Sequence, residues 1–151
     1  MSAAPHLATV DLLCAREFPA EHGGSDLGRG GPGYHLAEWA AGGGPAGEAE
    51  DDAGCTARQA AEEQCEAERD GLTARLTERW GAPQVFGLGG VLLRAMEYGE
   101  RIPEPWAYLS AHAPDVYLWR ADGRWIALAV SRLDPSRPPA LLAAVTEVDP
   151  P

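Results

Sequence analysis

VYLWRADGRWIALAVS, residues 116–131, holds two β-compatible runs on either side of an Asp122-Gly123 pair. Both positions of such a pair tolerate positive φ, so a two-residue type I′ hairpin is expected there. Closing the turn between Ala121 and Arg124 sets Arg120 opposite Trp125, Trp119 opposite Ile126 and Tyr117 opposite Leu128. Side chains alternate along a strand. One face of the hairpin therefore carries Tyr117, Trp119, Ile126, Leu128 and Val130, and the other carries Val116, Leu118, Arg120, Trp125, Ala127 and Ala129. The first face has the mass to cover a helix. The second is also largely apolar and needs cover, either from Leu92, Leu93 and Trp106 or from a second molecule.

Downstream, DPSRPP brings three prolines that cannot donate to a sheet ladder. Residues 141–148 then read as a third strand, apolar on both faces and so suited to the middle of a sheet. Upstream, Ala57, Ala61, Cys65, Leu72, Leu76 and Trp80 form one stripe of a long helix. Thr56 and Gln59 offer a capping box at its start, and Gly81 with Pro83 a stop at its end. Short helices are expected in LLRAMEY, residues 92–98, and from Trp106 to Ala113. The fold class is thus α+β: a small antiparallel sheet, its C-terminal meander built on the Asp-Gly hairpin, packed against helices carried on one side.

The N-terminal third reads differently. Leu7, Val10, Leu13 and Phe18 recur at helical spacing until Pro19, which gives a helical segment within residues 1–19. Eleven of the 18 glycines fall between Gly23 and Gly54, in stretches such as GRGGPG and AGGGPAGEAEDDAG. These gain little burial against the entropy lost on ordering. Residues 20–54 are therefore expected to be a flexible loop or linker, with YHLAEWA, residues 34–40, as a short helical anchor. Residues 55–151 form the main α+β domain.

The chain of 151 residues has 23 acidic side chains against 12 basic ones, a net charge of −11. Every base is arginine, as expected of a GC-rich bacterial genome. The acidic excess opposes contact with phosphate backbones and anionic membranes, and favours a basic partner if it favours any. Three widely spaced cysteines give no disulfide framework, and the N-terminal residues make a poor signal peptide. A cytoplasmic protein without nucleic-acid or membrane partners is the expectation.

Sequence motifs for chemistry are sparse. The four histidines stand at no tight ligand spacing with cysteines or carboxylates, so no metal is expected. GRGGPG lacks the Lys-Ser/Thr end of a P-loop, and GLGG, residues 87–90, lacks the full dinucleotide fingerprint. Cys65 falls on the buried stripe, and no serine sits in a nucleophile elbow. No catalytic residue and no cofactor are assigned.

Two functions are compatible with these residues. The first is a non-catalytic acidic protein-binding domain, an adaptor, chaperone-like binder or immunity-type inhibitor. It would be able to self-associate as a homodimer, and would dock through Val116, Leu118, Arg120 and Trp125 with Glu62, Glu66 and Asp70 on the rim. The alternative is a small-molecule-binding domain or enzyme with a pocket near Tyr98, Trp106 and Trp125, to which Glu97, Arg120 and His112 would supply polar groups.

Overall fold

The computed structural model describes residues 4–24, 28–40, 55–121, 123–133 and 137–151. The described residues form α1 (Ala4–Ala15), β1 (Gly23–Gly24), β2 (Gly28–Gly31), β3 (Tyr34–Ala40), α2 (Cys55–Trp80) and β4 (Gln84–Gly87). There follow α3 (Gly89–Glu97), α4 (Trp106–His112), β5 (Asp115–Ala121), β6 (Arg124–Ser131) and β7 (Ala140–Thr146). The strands make one antiparallel sheet in the order β1-β2-β3-β7-β6-β5-β4. The fold is α+β.

The hairpin pairs in the register its sequence implies: Tyr117 with Leu128, Trp119 with Ile126, Arg120 with Trp125 and Ala121 with Arg124. Gly123 takes φ +77°, the left-handed conformation required there. β7 lies between β6 and β3, so its backbone is bonded on both edges. All seven of its residues are buried, which explains why ALLAAVT shows no polar alternation.

Two apolar clusters sandwich the sheet. On one face, Val10 and Leu13 of α1 and Cys65, Leu72 and Leu76 of α2 meet Trp119, Ile126, Leu128, Val130, Leu141, Ala143 and Val145. Each fully buried Leu or Ile contributes about 1.5–3 kcal/mol relative to leaving it in water. The α2 stripe is buried at Cys65, Leu72 and Leu76, while Gly71 and Arg75 face out. Gly81, at φ +87°, ends the helix and accepts the Trp119 indole N–H at 2.9 Å through its carbonyl. Burial pushes the Cys65 thiol up to about 12, consistent with a core residue rather than a nucleophile. On the other face, Val91 of α3 and Trp106 and Leu109 of α4 cover Val116, Leu118, Ala127, Ala129, Leu142 and Ala144.

Helices thus lie on both sides of the sheet rather than one. The hairpin's second face needed internal cover, and α3 and α4 supply it.

The glycine-rich segment also differs from expectation. Residues 23–24, 28–31 and 34–40 are strands, not linker, and YHLAEWA is a strand rather than a helical anchor. Seven backbone positions of β3 pair with β7, from Tyr34 opposite Thr146 to Ala40 opposite Ala140. Glycine suits β2 because a side chain has no room there: a Cβ at Gly28 would meet the Leu36 carbonyl, and one at Gly31 would stand 2.6 Å from the side-chain Nδ1 of His22. The remainder of the expected linker, residues 41–54, lies outside the described residues. The N-terminal helix is no separate segment either: it packs on α2 and β7, and Asp11 forms an ion pair with Arg79.

Candidate functional site

Along β3, Tyr34, Leu36 and Glu38 project to the side covered by α4, and His35, Ala37 and Trp39 to the side covered by α1 and α2. The assignment follows from contacts. Leu36 belongs to the cluster with Trp106 and Leu109, and Ala37 to the cluster with Leu72 and Leu76. Glu38 is the one carboxylate on a strand whose residues 34–37 are buried, and its own side chain is only 13 % exposed. A charge in that position needs partners.

It has two. Tyr108 Oη of α4 donates to Glu38 Oε1 at 2.6 Å, and Arg137 Nη2 donates to Glu38 Oε2 at 2.6 Å. Arg137 Nη1 also donates to Tyr108 Oη at 2.7 Å, which closes a three-membered ring of hydrogen bonds. His112 stacks on Tyr108 with ring centroids 4.1 Å apart, and its Nδ1–H donates to the Tyr108 carbonyl at 2.8 Å. Desolvation, followed by the bond to Glu38, raises the Tyr108 pKa, so the phenol stays protonated as a donor. Arg58 of α2 donates to the Arg137 carbonyl at 2.6 Å and fixes the segment that carries Arg137.

Beside this cluster the covering helices run out and a cleft of about 580 Å³ opens. β1 and β2 contribute Gly23, Gly24, Gly28 and Arg29, β3 contributes Tyr34, and Glu104 comes from the segment before α4. His22 completes the lining, its Nδ1 2.9 Å from Tyr34 Oη. Arg29 lies opposite Leu36 in the register and sets its guanidinium 4.4 Å from the centre of the Tyr108 ring, linking cleft and cluster. Glu104 Oε1 accepts the Tyr108 backbone N–H at 2.9 Å. The Tyr34 pKa is raised, first by desolvation and then by the Glu104 charge, with Arg29 acting in the opposite direction.

The residues singled out from sequence are dispersed. Val116 has no exposed surface and Leu118 is 3 % exposed, both beneath α3 and α4, so neither is available to a partner. Arg120 and half-buried Trp125 do form the cross-strand cation–π pair, at 4.9 Å, and both also contact Asp149. Glu62, Glu66 and Asp70 lie on α2, across the sheet from Val116 and Leu118, so they rim no common patch with them. Each is paired with an arginine of this chain: Arg58, Arg132 and Arg69 respectively. The alternative pocket does not assemble. Trp106 is completely buried with its indole N–H on the Val148 carbonyl, whereas Glu97 and Tyr98 stand exposed at the end of α3. His112 alone borders the polar cluster.

Sequence reasoning does not find Arg29, Tyr34, Glu38, Glu104 and Arg137: a helical anchor at residues 34–40 and a linker around Arg29 hide the first three, and Glu104 and Arg137 lie in proline-flanked connections. The available signal was Glu38, an acid in phase with Tyr34 and Leu36. Among the described residues, no group of three or more His, Cys, Asp or Glu is placed to hold a metal ion, and no helix is long and apolar enough to cross a membrane. Comparison of the chain with family models, curated proteins and solved structures gives no match.

Proposed function

We propose that this protein is a small-molecule-binding domain whose site is the cleft between β1–β3 and the segment leading into α4. One observation carries the reading. An open space of about 580 Å³ is lined by Gly23, Gly24 and Gly28 together with four polar residues, Arg29, Tyr34, His22 and Glu104. That volume falls within the ordinary range for ligand sites, and a few converging polar groups are what such sites use for orientation. The Glu38–Tyr108–Arg137 ring supports the reading, because it holds the α4 side of the cleft rigid.

The test uses a variant that fills the space without disturbing the fold. A Cβ at Gly24 meets only one atom within 4 Å, the Gly28 carbonyl oxygen at 3.9 Å, so Gly24→Phe has room to project a ring. Equilibrium dialysis of the full chain against a native metabolite extract, read by mass spectrometry, should enrich at least one small molecule. Gly24→Phe should lose that enrichment. Equal enrichment by both proteins, or none by either, refutes the reading.

A second reading keeps a protein partner but moves it from the hairpin to α3. There Leu93, Met96 and Tyr98 are 49 %, 76 % and 76 % exposed. The self-associating form of this reading predicts a dimer by light scattering at tens of micromolar that Met96→Glu dissociates. A strict monomer removes it.

A further inference from the structure

Arg29 and Glu104 line one cleft without neutralising each other. Among the described residues no ion pair joins them. The Arg29 guanidinium rests on the Tyr108 ring, and Glu104 uses one carboxylate oxygen for the Tyr108 N–H. Both side chains line the open space, Arg29 from β2 and Glu104 from the segment before α4. The Tyr34 hydroxyl feels both charges, in opposite senses. Elsewhere the chain pairs opposite charges directly, as in Arg137–Glu38, Arg132–Glu66 and Arg94–Glu100.

Opposite charges held apart around a cavity select by exclusion. A ligand with anionic groups alone would meet repulsion from Glu104, and one with cationic groups alone would meet Arg29. An uncharged ligand would strip water from both side chains and return nothing. Resting on the reading of the cleft as a ligand site, we infer that its ligand is amphoteric, an amino-acid-like molecule whose carboxylate lies on Arg29 and whose ammonium lies on Glu104. Tyr34, hydrogen-bonded to His22, lines the same cleft.

The experiment is a titration of the ¹⁵N-labelled full chain followed by amide NMR. Glycine, 4-aminobutyrate and 6-aminohexanoate are the amphoteric probes, with increasing charge separation. Glutarate and 1,5-diaminopentane are the single-sign controls. At least one amphoteric probe should saturate the shifts of Gly23, Gly24 and Tyr34 at a concentration about fivefold lower than either control, the scale set by one exposed ion pair. Glu104→Gln, which keeps an acceptor for the Tyr108 N–H, should erase the advantage over glutarate. Arg29→Gln should erase the advantage over 1,5-diaminopentane. Tighter binding of either control to the unaltered chain overturns the ligand class while leaving the cleft a ligand site. No saturable shift at these amides with any probe also overturns it, and the extract dialysis then judges the cleft separately.

Discussion

The two faces of the sheet are covered to different extents, and the candidate site lies where they differ. On one face, the 26-residue α2 crosses the strands and α1 continues the cover over β3. His35 of β3 donates through Nε2 to the Glu17 carbonyl at 2.9 Å, and His6 of α1 meets the Trp39 ring at a tilt, with centroids 4.6 Å apart. On the other face, α3 and α4 have nine and seven residues; their apolar cluster takes in Leu36, and Tyr108 of α4 meets Glu38 and Arg29. Around Leu36 the same strands carry Arg29, Tyr34 and Glu38. Under α1 and α2 the sheet presents an apolar cluster, whereas on the other side the largely buried charge of Glu38 is held by hydrogen bonds from Tyr108 and Arg137. The lesson is that this fold keeps a charge on its sheet where side chains from other elements supply its hydrogen bonds.

The comparison breaks first if the short helices are mere lids. Trp106→Ala should cost about 3–5 kcal/mol and Leu109→Ala about 2–5 kcal/mol by urea denaturation, as much as Leu76→Ala on the α2 face. A cost under ~1 kcal/mol for Leu109→Ala would mean that the second core is not closed.

Next comes the polar ring. Tyr108→Phe leaves Glu38 and Arg137 each short of one bond in a mostly covered place, with an expected loss of about 1–3 kcal/mol. The same substitution in an Arg137→Met background should cost measurably less, because the ring is already open.

The α1 face should reveal itself through pH. Burial lowers the pKa of His6, partly offset by Glu68, and also lowers that of His35. A depressed folded-state pKa means that the unfolded chain takes up the proton first. The stability is therefore fully present above pH 6.5 and is lost as the pH falls below it, until each folded-state pKa is crossed. Each imidazole adds a slope of at most about 1.4 kcal/mol per pH unit. His6→Phe, which keeps a ring against Trp39, should flatten the acid limb relative to the unaltered chain.

The smallest effect belongs to the hairpin rim. Arg120→Ala should cost about 0.5–1 kcal/mol, the worth of an exposed cation–π contact. A larger loss would show that Asp149 and Trp125 hold the segment after β7 more firmly than exposed pairs do.

What could be read from sequence followed the range of the interactions. The hairpin register, α2, α4 and β7 rest on local alternation, helical spacing and turn residues, all visible within a few positions. The location of β3 was not legible in the same way, since its pairing with β7 spans about one hundred residues and its flanking glycines resemble linker. The candidate site was hidden for the same reason. Arg29 and Tyr108 meet across nearly eighty positions, and nothing local to either announces the other.

The central place of β7 has a kinetic consequence. Until residues 140–146 are available, the β1–β3 ribbon and the β4–β6 meander have no shared edge, so the sheet exists only as two unjoined pieces. The joining step must close a loop of about a hundred residues, an entropic barrier that grows slowly with loop length and must be crossed before the strands repay it. A ribosome still translating residue 130 carries a nascent chain with two open β edges, which makes the cleft among the last features of the molecule to form.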